Sequence, residues 1–319
     1  MKRSEQVLLA IVGPTASGKT HLGMLLAGRL NGEIVSADSR QVYRHLDIGT
    51  AKPTPEDLRN VRHHFVDILD PTEDYNAGIY SDQARRCVEE LFGKSIQPIL
   101  VGGTGLYVQG VIDGFFDGPG KDDAIRRQLE EEAAEEGAEK LFLRLMQVDP
   151  VTASKLDPTK LRRIIRALEV YAKTGKTLSD HHAEQNSKPA YGVMQIGLKW
   201  ERKVLYERIN RRVDIMLEKG LIEEAERLLK RGVPRTVNAL NTVGYKEVFN
   251  FLDGIIGKNM MIELIKRNSR RFAKRQMTWF RADERIHWMQ VDAAENWEAL
   301  TDEIVDLFRN QKKRAENSN

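Results

Sequence analysis

A glycine-rich segment near the amino terminus has residue types and spacing suited to phosphate chemistry. Residues 13–20 read Gly-Pro-Thr-Ala-Ser-Gly-Lys-Thr and fit the pattern G-x-x-x-x-G-K-[ST] without a mismatch. In such a loop the glycines let backbone N–H groups wrap a phosphate, the lysine neutralises phosphate oxygens, and the hydroxyl ligates Mg²⁺. The motif therefore predicts a di- or triphosphate site, with a ligand-free strand-to-helix turn as the alternative. The expected diphosphate-binding residues are Gly13, Pro14, Thr15, Ala16, Ser17, Gly18, Lys19 and Thr20, with Thr20 on the metal.

Two further segments follow short apolar runs and carry candidate catalytic side chains. The run 98–101 ends in Gly-Gly-Thr104-Gly, whereas an ATPase has an acidic residue for its metal there. Asp38 follows the run 33–36. The carboxyl ends of parallel strands meet at one sheet edge, so Asp38 is placed to act on a nucleophile that attacks a ligand in the phosphate loop. An indirect metal contact and a helix cap are the alternatives for Asp38.

The pattern around these segments predicts an α/β fold. Apolar runs at 7–12, 33–36 and 98–101 predict buried strands, and helical spacing at 21–30 and 81–92 predicts helices between them. Short apolar strands that alternate with helices indicate a parallel sheet covered on both faces.

A glycine-rich hinge at 114–120 marks a change of composition. Helical patterns follow at 121–140 and 161–174, and an apolar run at 193–198 predicts a strand that returns the chain to the sheet. We therefore predict three segments: residues 1–118 as the first part of the core, 119–194 as a helical insertion, and 195–319 as the remainder. Helices are expected in the remainder at 204–217, 221–231 and 260–280.

Charge is segregated along the chain although the whole carries only +3. Residues 258–281 hold eight Lys or Arg against one Glu, a net charge of +7, with aromatic residues interleaved. Residues 121–140 hold four basic and eight acidic residues, a net charge of −4. A basic helix of this kind is typical of a surface that binds a phosphate backbone, and a solvated helix face is the alternative.

Composition excludes several classes of protein. The chain has one cysteine, Cys87, which rules out an internal disulfide and a cysteine-rich zinc site. Its longest apolar run, 7–12, is far shorter than the roughly 20 residues that span a bilayer. We therefore expect a cytoplasmic protein without membrane association. The adjacent His63 and His64 lack metal-ligand spacing and are expected to be structural.

Motifs along most of the chain resemble those of the bacterial-type tRNA dimethylallyltransferases, also called tRNA isopentenyltransferases. The segments D-I-G-T-A-K-P at 47–53 and G-G-T-G-L-Y at 102–107 are the most specific. The resemblance spans residues 13–281 and is carried by 13–20, 36–39 with Tyr43, 47–53, His63, His64, Asp67, 101–107, Arg163, 166–170, 244–247 and 274–281.

The resemblance implies a P-loop NTPase-like sheet with an all-helical insertion domain, and a prenyl transfer to RNA. A dimethylallyl group would move from dimethylallyl diphosphate to N6 of the adenosine at tRNA position 37, next to the anticodon, with release of diphosphate. The phosphate loop would grip the diphosphate, Mg²⁺ would be the cofactor, and no ATP would be needed. Asp38 would accept the proton of the amine and Lys19 would stabilise the leaving group. Thr104 would bond near the amine or the bridging oxygen, with a hydroxyl that only satisfies the tight turn at 103–105 as the alternative.

Two sets of binding residues complete the expected site. Arg208 and Arg212, one turn apart on a predicted helix, are candidates for a diphosphate clamp or an ordinary solvated face. The anticodon stem-loop of a tRNA is expected at Asp38, Ser39, Arg40, Gln41, Thr104, Arg127, Arg162, Arg163, Arg166, Arg270, Arg271, Lys274 and Arg275. We expect a monomer.

Two alternatives stay open at this point. A small-molecule or nucleoside kinase would use the same loop with Asp38 as its base, would turn over ATP, and would not need the basic helix. A non-catalytic RNA-binding module would keep a vestigial phosphate site.

Overall fold

The computed structural model describes residues 6–115, 118–184, 189–292 and 296–317 of the chain. The chain forms two compact units: a core unit of residues 1–112 and 189–319, and an insertion unit of residues 113–188. The insertion was predicted at 119–194, but Gly192–Lys199 is a strand that pairs with the amino-terminal strand of the core. Residues 192–194 therefore lie in the core sheet, because their backbone groups are satisfied there by strand pairing.

The core unit is built on one parallel sheet in which the described strands follow the order β3-β2-β4-β1-β5-β6. Val12, the last residue of the first strand, pairs with Gly102, the last residue of the fourth strand, so these two strands end level with each other. On the other side Val12 pairs with Gly197, and the fifth strand continues two residues further, to Lys199. The strands are β1 (Val7–Val12), β2 (Gly32–Ala37), β3 (His63–His64), β4 (Gln97–Gly102), β5 (Gly192–Lys199) and β6 (Ile286–Gln290).

Strand β1 is a continuous apolar run because both faces of the sheet are covered. Leu8, Ala10 and Val12 belong to one buried cluster, and the alternate residues 7, 9 and 11 belong to the other. Side chains of successive strand residues point to opposite faces, so one run supplies both cores. The predicted sheet and its two helical layers are confirmed.

The helices are α1 (Lys19–Leu30), α2 (Pro55–Asn60), α3 (Ala77–Gly93), α4 (Gly105–Ile112), α5 (Asp123–Glu136), α6 (Ala138–Val148), α7 (Pro150–Ala153), α8 (Leu161–Thr174), α9 (Leu178–Ala183), α10 (Arg202–Glu218), α11 (Leu221–Lys230), α12 (Tyr245–Leu252), α13 (Lys258–Arg281) and α14 (Trp297–Asn317). Helices α5 to α9 form the insertion unit around a small apolar cluster of their own. The single helix predicted at 121–140 is instead two, since Gly137 with φ 89° separates α5 from α6. None of the described helices combines the length and the apolar character needed to cross a membrane.

Candidate active site

The phosphate loop joins β1 to α1 in a conformation that needs its glycines. Gly13 and Gly18 have φ of 144° and 89°, in the region that favours glycine, and Ala16 has φ of 61°. Lys19 is the first residue of α1, and its Nζ folds back to donate to the carbonyl of Pro14 at 2.6 Å. The loop therefore has the strand-to-helix setting that anion binding at a helix amino terminus requires.

Aromatic and cationic side chains support the backbone of this loop. Trp200 Nε1 donates to the carbonyl of Ser17 at 3.0 Å, and Arg208 Nε donates to that of Ala16 at 2.9 Å. The Arg208 guanidinium also stacks 4.2 Å from the ring centroid of Trp200. Trp297 covers Gly18 so closely that a Cβ there would lie 2.3 Å from its ring. Arg208 thus holds the loop in shape, rather than lining the cavity to which the loop contributes.

A cavity of about 580 Å³ brings most of the predicted core-unit site residues together. It lies where the strands end, between the phosphate loop, the segment after β2, the segment after β4, and helices α10 and α13. The predicted residues of the core unit that are not among its lining residues are Gly13, Pro14, Ala16, Ser17, Gly18, Arg208, Arg270 and Lys274. The predicted residues that line it are Thr15, Lys19, Thr20, Asp38, Ser39, Arg40, Gln41, Thr104, Arg212, Arg271 and Arg275.

Asp38 and Thr104 follow different strands, and hydrogen bonds that Thr104 makes with Ala37 and Ser39 link the two segments. Asp38 Oδ1 accepts the backbone N–H of Arg40 at 2.8 Å and of Gln41 at 3.3 Å, which fixes the plane of the carboxylate. Thr104 Oγ1 accepts the N–H of Ser39 at 3.1 Å, and the N–H of Thr104 donates to the carbonyl of Ala37 at 3.2 Å. The carboxylate therefore caps its own turn while still facing the cavity.

Lys19 and Arg212 place two basic side chains in the cavity near the carboxylate of Asp38. Burial, followed by the charge of Arg212, lowers the pKa of Lys19 to about 7, and Asp38 opposes part of this shift. Burial also lowers the pKa of Arg212, which Asp38 again opposes. Burial disfavours the charged forms of Lys19 and Arg212, and an anionic ligand bound between the two side chains would favour those charged forms again.

A buried carboxylate binds the backbone of the D-I-G-T-A-K-P segment. Glu224 on α11 accepts the backbone N–H groups of Asp47, Ile48 and Gly49 at 2.8–2.9 Å and the hydroxyl of Tyr245 at 2.7 Å. Gly49 is required there because a Cβ would lie 2.6 Å from the Tyr245 ring. The sequence reasoning missed Glu224, since its acceptor role depends on residues more than 170 positions away.

We expect Glu224→Gln to lower the free energy of unfolding by about 2–4 kcal/mol, because the amide loses the charge and turns a donor toward N–H groups. Chemical denaturation would measure this change. The matched control is Glu223→Gln, an exposed neighbour on the same helix, for which a change below about 0.5 kcal/mol is expected. Equal stability of the two variants would contradict the role assigned to Glu224.

A second side chain that sequence reasoning missed is Gln276, inside the K-R-Q-M-T-W-F-R segment of α13. Its Oε1 accepts the N–H of Thr15 at 2.8 Å, and its Nε2 donates to the carbonyl of Gly103 at 2.9 Å. The available signal was that Gln276 lies in a family-specific segment. Its uncharged side chain does not stand out there, because the segment also contains Lys274, Arg275 and Arg281.

Helix α13 presents cations along an exposed face. Arg271, Lys274 and Arg275 are exposed, whereas Arg270 bonds Asn210 at 2.6 Å and is half-buried. Phe272 and Trp279 are also exposed, by 40% and 42%. The predicted basic stretch is thus a surface with aromatic rings among its charges.

The predicted RNA-binding arginines of the insertion unit have different surroundings. Arg127, Arg162 and Arg163 are exposed. Arg166 Nη1 instead donates to the buried carboxylate of Glu169 at 2.8 Å, which also receives two bonds from Arg126. Because Arg166 is committed to an ion pair inside the unit, its position is structurally fixed.

The residues near the phosphate loop suit Mg²⁺ only when a phosphate ligand shares it. Among the described residues no three His, Cys, Asp or Glu side chains cluster to form a complete metal site. The cavity does hold the hydroxyl of Thr20 and the carboxylate of Asp38, which are hard oxygen ligands. Mg²⁺ is usually held by one or two protein oxygens with substrate phosphates and water, so this donor set fits.

Comparison with known proteins agrees with the geometry of the core unit. The family model described as IPP transferase matches residues 41–283. The tRNA dimethylallyltransferase of Pelotomaculum thermopropionicum is 45% identical, over 95% of this chain and 97% of that protein. That of Carboxydothermus hydrogenoformans is 47% identical, over 93% and 96%.

Solved structures give the same result. The tRNA isopentenylpyrophosphate transferase of Bacillus halodurans has a TM-score of 0.72 at 42% identity, covering 98% of this chain and 99% of that one. A eukaryotic dimethylallyltransferase acting on tRNA has a TM-score of 0.78 at 27% identity, covering 92% and 76%. With a phosphate loop, a carboxylate and a basic helix around one cavity, and with near full-length similarity to these proteins, the chain belongs to the tRNA dimethylallyltransferase (IPP transferase) family.

Proposed function

We propose that this protein transfers the dimethylallyl group of dimethylallyl diphosphate to N6 of adenosine 37 in tRNA and releases diphosphate. The observation that carries the proposal is the single cavity that joins the phosphate loop, the Asp38 carboxylate and the cationic helix α13. A kinase does not need the cationic helix, and a non-catalytic RNA-binding module does not need a phosphate loop beside a carboxylate. We expect the protein to act as a monomer.

Asp38 is the proposed general base. The N6 amine attacks the allylic carbon, the bond from that carbon to the diphosphate oxygen breaks, and its electron pair leaves with the diphosphate. The N6 proton passes to Asp38, whose Oδ1 is held by two backbone N–H groups so that Oδ2 can receive it. A positioned carboxylate of this kind contributes about 10²–10⁴-fold to rate. Thr104 is proposed to bond near the amine, since it links the Asp38 turn to the glycine segment after β4.

Lys19, Arg212 and the loop N–H groups are proposed to bind the diphosphate, where negative charge grows as the allylic bond breaks. Arg208 is proposed to contribute indirectly, through the carbonyl of Ala16. Mg²⁺, held by Thr20 and the phosphates, would supply further charge neutralisation when bound.

The anticodon stem-loop is the proposed RNA partner. Its phosphates would contact Arg271, Lys274 and Arg275 of α13, with Arg270 contributing through its bond to Asn210. Residues 38–41 would lie near the target base, which must leave its stack to reach Asp38 at a cost of a few kcal/mol. Arg127, Arg162, Arg163 and Arg166 are proposed as a second contact, on the insertion unit.

We expect tRNA affinity to fall steeply as the salt concentration rises, because each phosphate contact releases about one counterion. The double variant Arg271→Ala/Arg275→Ala should flatten the slope of log K against log salt by about 1–2 units. Fluorescence titration of labelled tRNA from 50 to 300 mM KCl would measure the slope. The matched control removes two exposed cations of α11, Arg227 and Lys230, and should leave it unchanged. Equal slopes in the wild type and the α13 variant would show that the RNA phosphates contact a different surface of the protein.

The function is tested with purified protein, labelled dimethylallyl diphosphate, Mg²⁺ and unmodified tRNA. We expect label on the RNA, lost when position 37 is not adenosine. ATP-dependent phosphorylation of an acceptor without prenyl transfer would favour the kinase. RNA binding without either activity would favour the non-catalytic module.

A further inference from the structure

The side chain of Gln276 joins three parts of the site. It projects from α13 and is only 8% exposed. Its Oε1 accepts from a backbone N–H of the phosphate loop and its Nε2 donates to a backbone carbonyl of the glycine segment that carries Thr104. Since one end meets a donor and the other an acceptor, the orientation of the amide is fixed by its partners.

The phosphate loop and the glycine segment that carries Thr104 lie too close together for a side chain on residue 103. A Cβ on Gly103 would lie 2.4 Å from Gln276 Nε2 and 3.3 Å from the carbonyl oxygen of Gly13. The glycine at 103 therefore admits both the amide and the neighbouring loop. Without the amide, the N–H of Thr15 and the carbonyl of Gly103 would lose the bonds that now tie them together.

Helix α13 carries other cavity residues on the amino-terminal side of Gln276. Phe272 and Arg275 line the same cavity as Thr15 and Thr104. The surface proposed for RNA and the loop proposed for diphosphate are thus connected through one buried amide, without an intervening element.

We propose that Gln276 is a positioning residue that fixes the phosphate loop relative to the Asp38–Thr104 segment, so that the allylic carbon and the attacking amine meet in register. The inference rests on the proposed function. The role of Gln276 is exerted through Thr15 and Gly103, whose backbone groups hydrogen-bond to its amide. Misplacement of reacting groups by about 1 Å can cost about 10²-fold in rate, so the expected effect is on turnover and diphosphate binding and not on RNA affinity.

Gln276→Met keeps the length of the side chain and removes both hydrogen bonds. We expect it to lower kcat/KM for dimethylallyl diphosphate about 10- to 100-fold and to weaken the binding of inorganic pyrophosphate about 10-fold, with the Kd for tRNA changed by less than about threefold. Gln276→Glu, which keeps the size but turns an oxygen toward the Gly103 carbonyl, should lose at least as much. The matched control is Gln97→Met, another buried glutamine that donates to backbone carbonyls, outside the cavity.

A merely structural glutamine predicts lower thermal stability in all of these variants with wild-type kinetics for the folded fraction. That outcome would overturn the proposal, as would an unchanged pyrophosphate affinity in Gln276→Met. Gly103→Ala gives an independent approach, because its Cβ displaces the same amide. We expect its kinetic loss to be non-additive with that of Gln276→Met, and full additivity would count against a shared role.

Pyrophosphate binding separates this proposal from the function on which it rests. If the wild type binds pyrophosphate but prenylates no RNA, the proposed function fails, while the effect of Gln276→Met on pyrophosphate affinity still tests the link to the phosphate loop.

Discussion

Asp38→Asn is expected to reduce the rate of prenyl transfer about 10²–10⁴-fold while leaving tRNA affinity within about threefold of wild type. Asparagine keeps the oxygen that accepts the N–H groups of Arg40 and Gln41, so the turn after β2 should survive. It cannot accept a proton, so the weakly nucleophilic adenine amine would have to attack without a base. The loss should therefore lie in the chemical step.

Single-turnover label transfer at saturating tRNA and dimethylallyl diphosphate measures that step directly. Asp82→Asn, a change of the same kind at an exposed position of α3, provides the control and should react at the wild-type rate. Transfer by Asp38→Asn at the wild-type rate would show that the carboxylate caps the turn but is not the base.

The affinity for diphosphate ligands is expected to decrease as pH rises above about 7. Burial and Arg212 lower the pKa of Lys19 to about 7 in the free protein, and a bound diphosphate would raise it again by favouring the cation. Below pH 7 the ammonium is already present, whereas above pH 7 binding must take up a proton. Affinity should then fall by up to tenfold per pH unit between about pH 7.5 and 9, where a phosphate ester, with its second pKa of about 6, is fully ionised.

Isothermal titration with dimethylallyl diphosphate, in the absence of tRNA and in buffers of different ionisation enthalpy, would measure both the affinity and the proton uptake. Lys19→Arg is the informative variant, because a guanidinium stays charged over this range and should remove the pH dependence of the lysine. Lys19→Ala should bind at least about 10²-fold more weakly at pH 7, since a buried charged bond to phosphate is lost. A slope that persists unchanged in Lys19→Arg would assign the titration to another group.

The sequence pattern predicted those features that depend on residues close together in the chain. The phosphate loop follows from the steric freedom of its glycines, and the runs 7–12, 98–101 and 193–198 coincide with β1, β4 and β5 because a strand covered on both faces must be continuously apolar. Asp38 was found from its place after a strand, since parallel strands end at one edge. The helix predicted at 161–174 has the same bounds as α8, whose apolar face has a clear period.

Short or amphipathic elements were missed for an equally physical reason. Strand β3 has only two residues, and β6 (Ile286–Gln290) contains His and Gln and so is not a continuous apolar run. Pairing with β2 and β5 places these two segments in the sheet. Helix α14 extends to Asn317 although the residues near its end are polar, because its first turns pack apolar side chains on the core.

The sequence by itself determined the chemistry expected of this protein: a loop with the pattern of a phosphate site, a carboxylate at the same sheet edge and a cationic helix. Only the tertiary structure decided which side chains share the cavity. It separates Arg212, which lines the cavity, from Arg208, which bonds the back of the loop, although the two are one helical turn apart. It also brings Gln276 to Thr15 across 261 residues of chain, because a hydrogen bond depends on distance in space and no local periodicity records it.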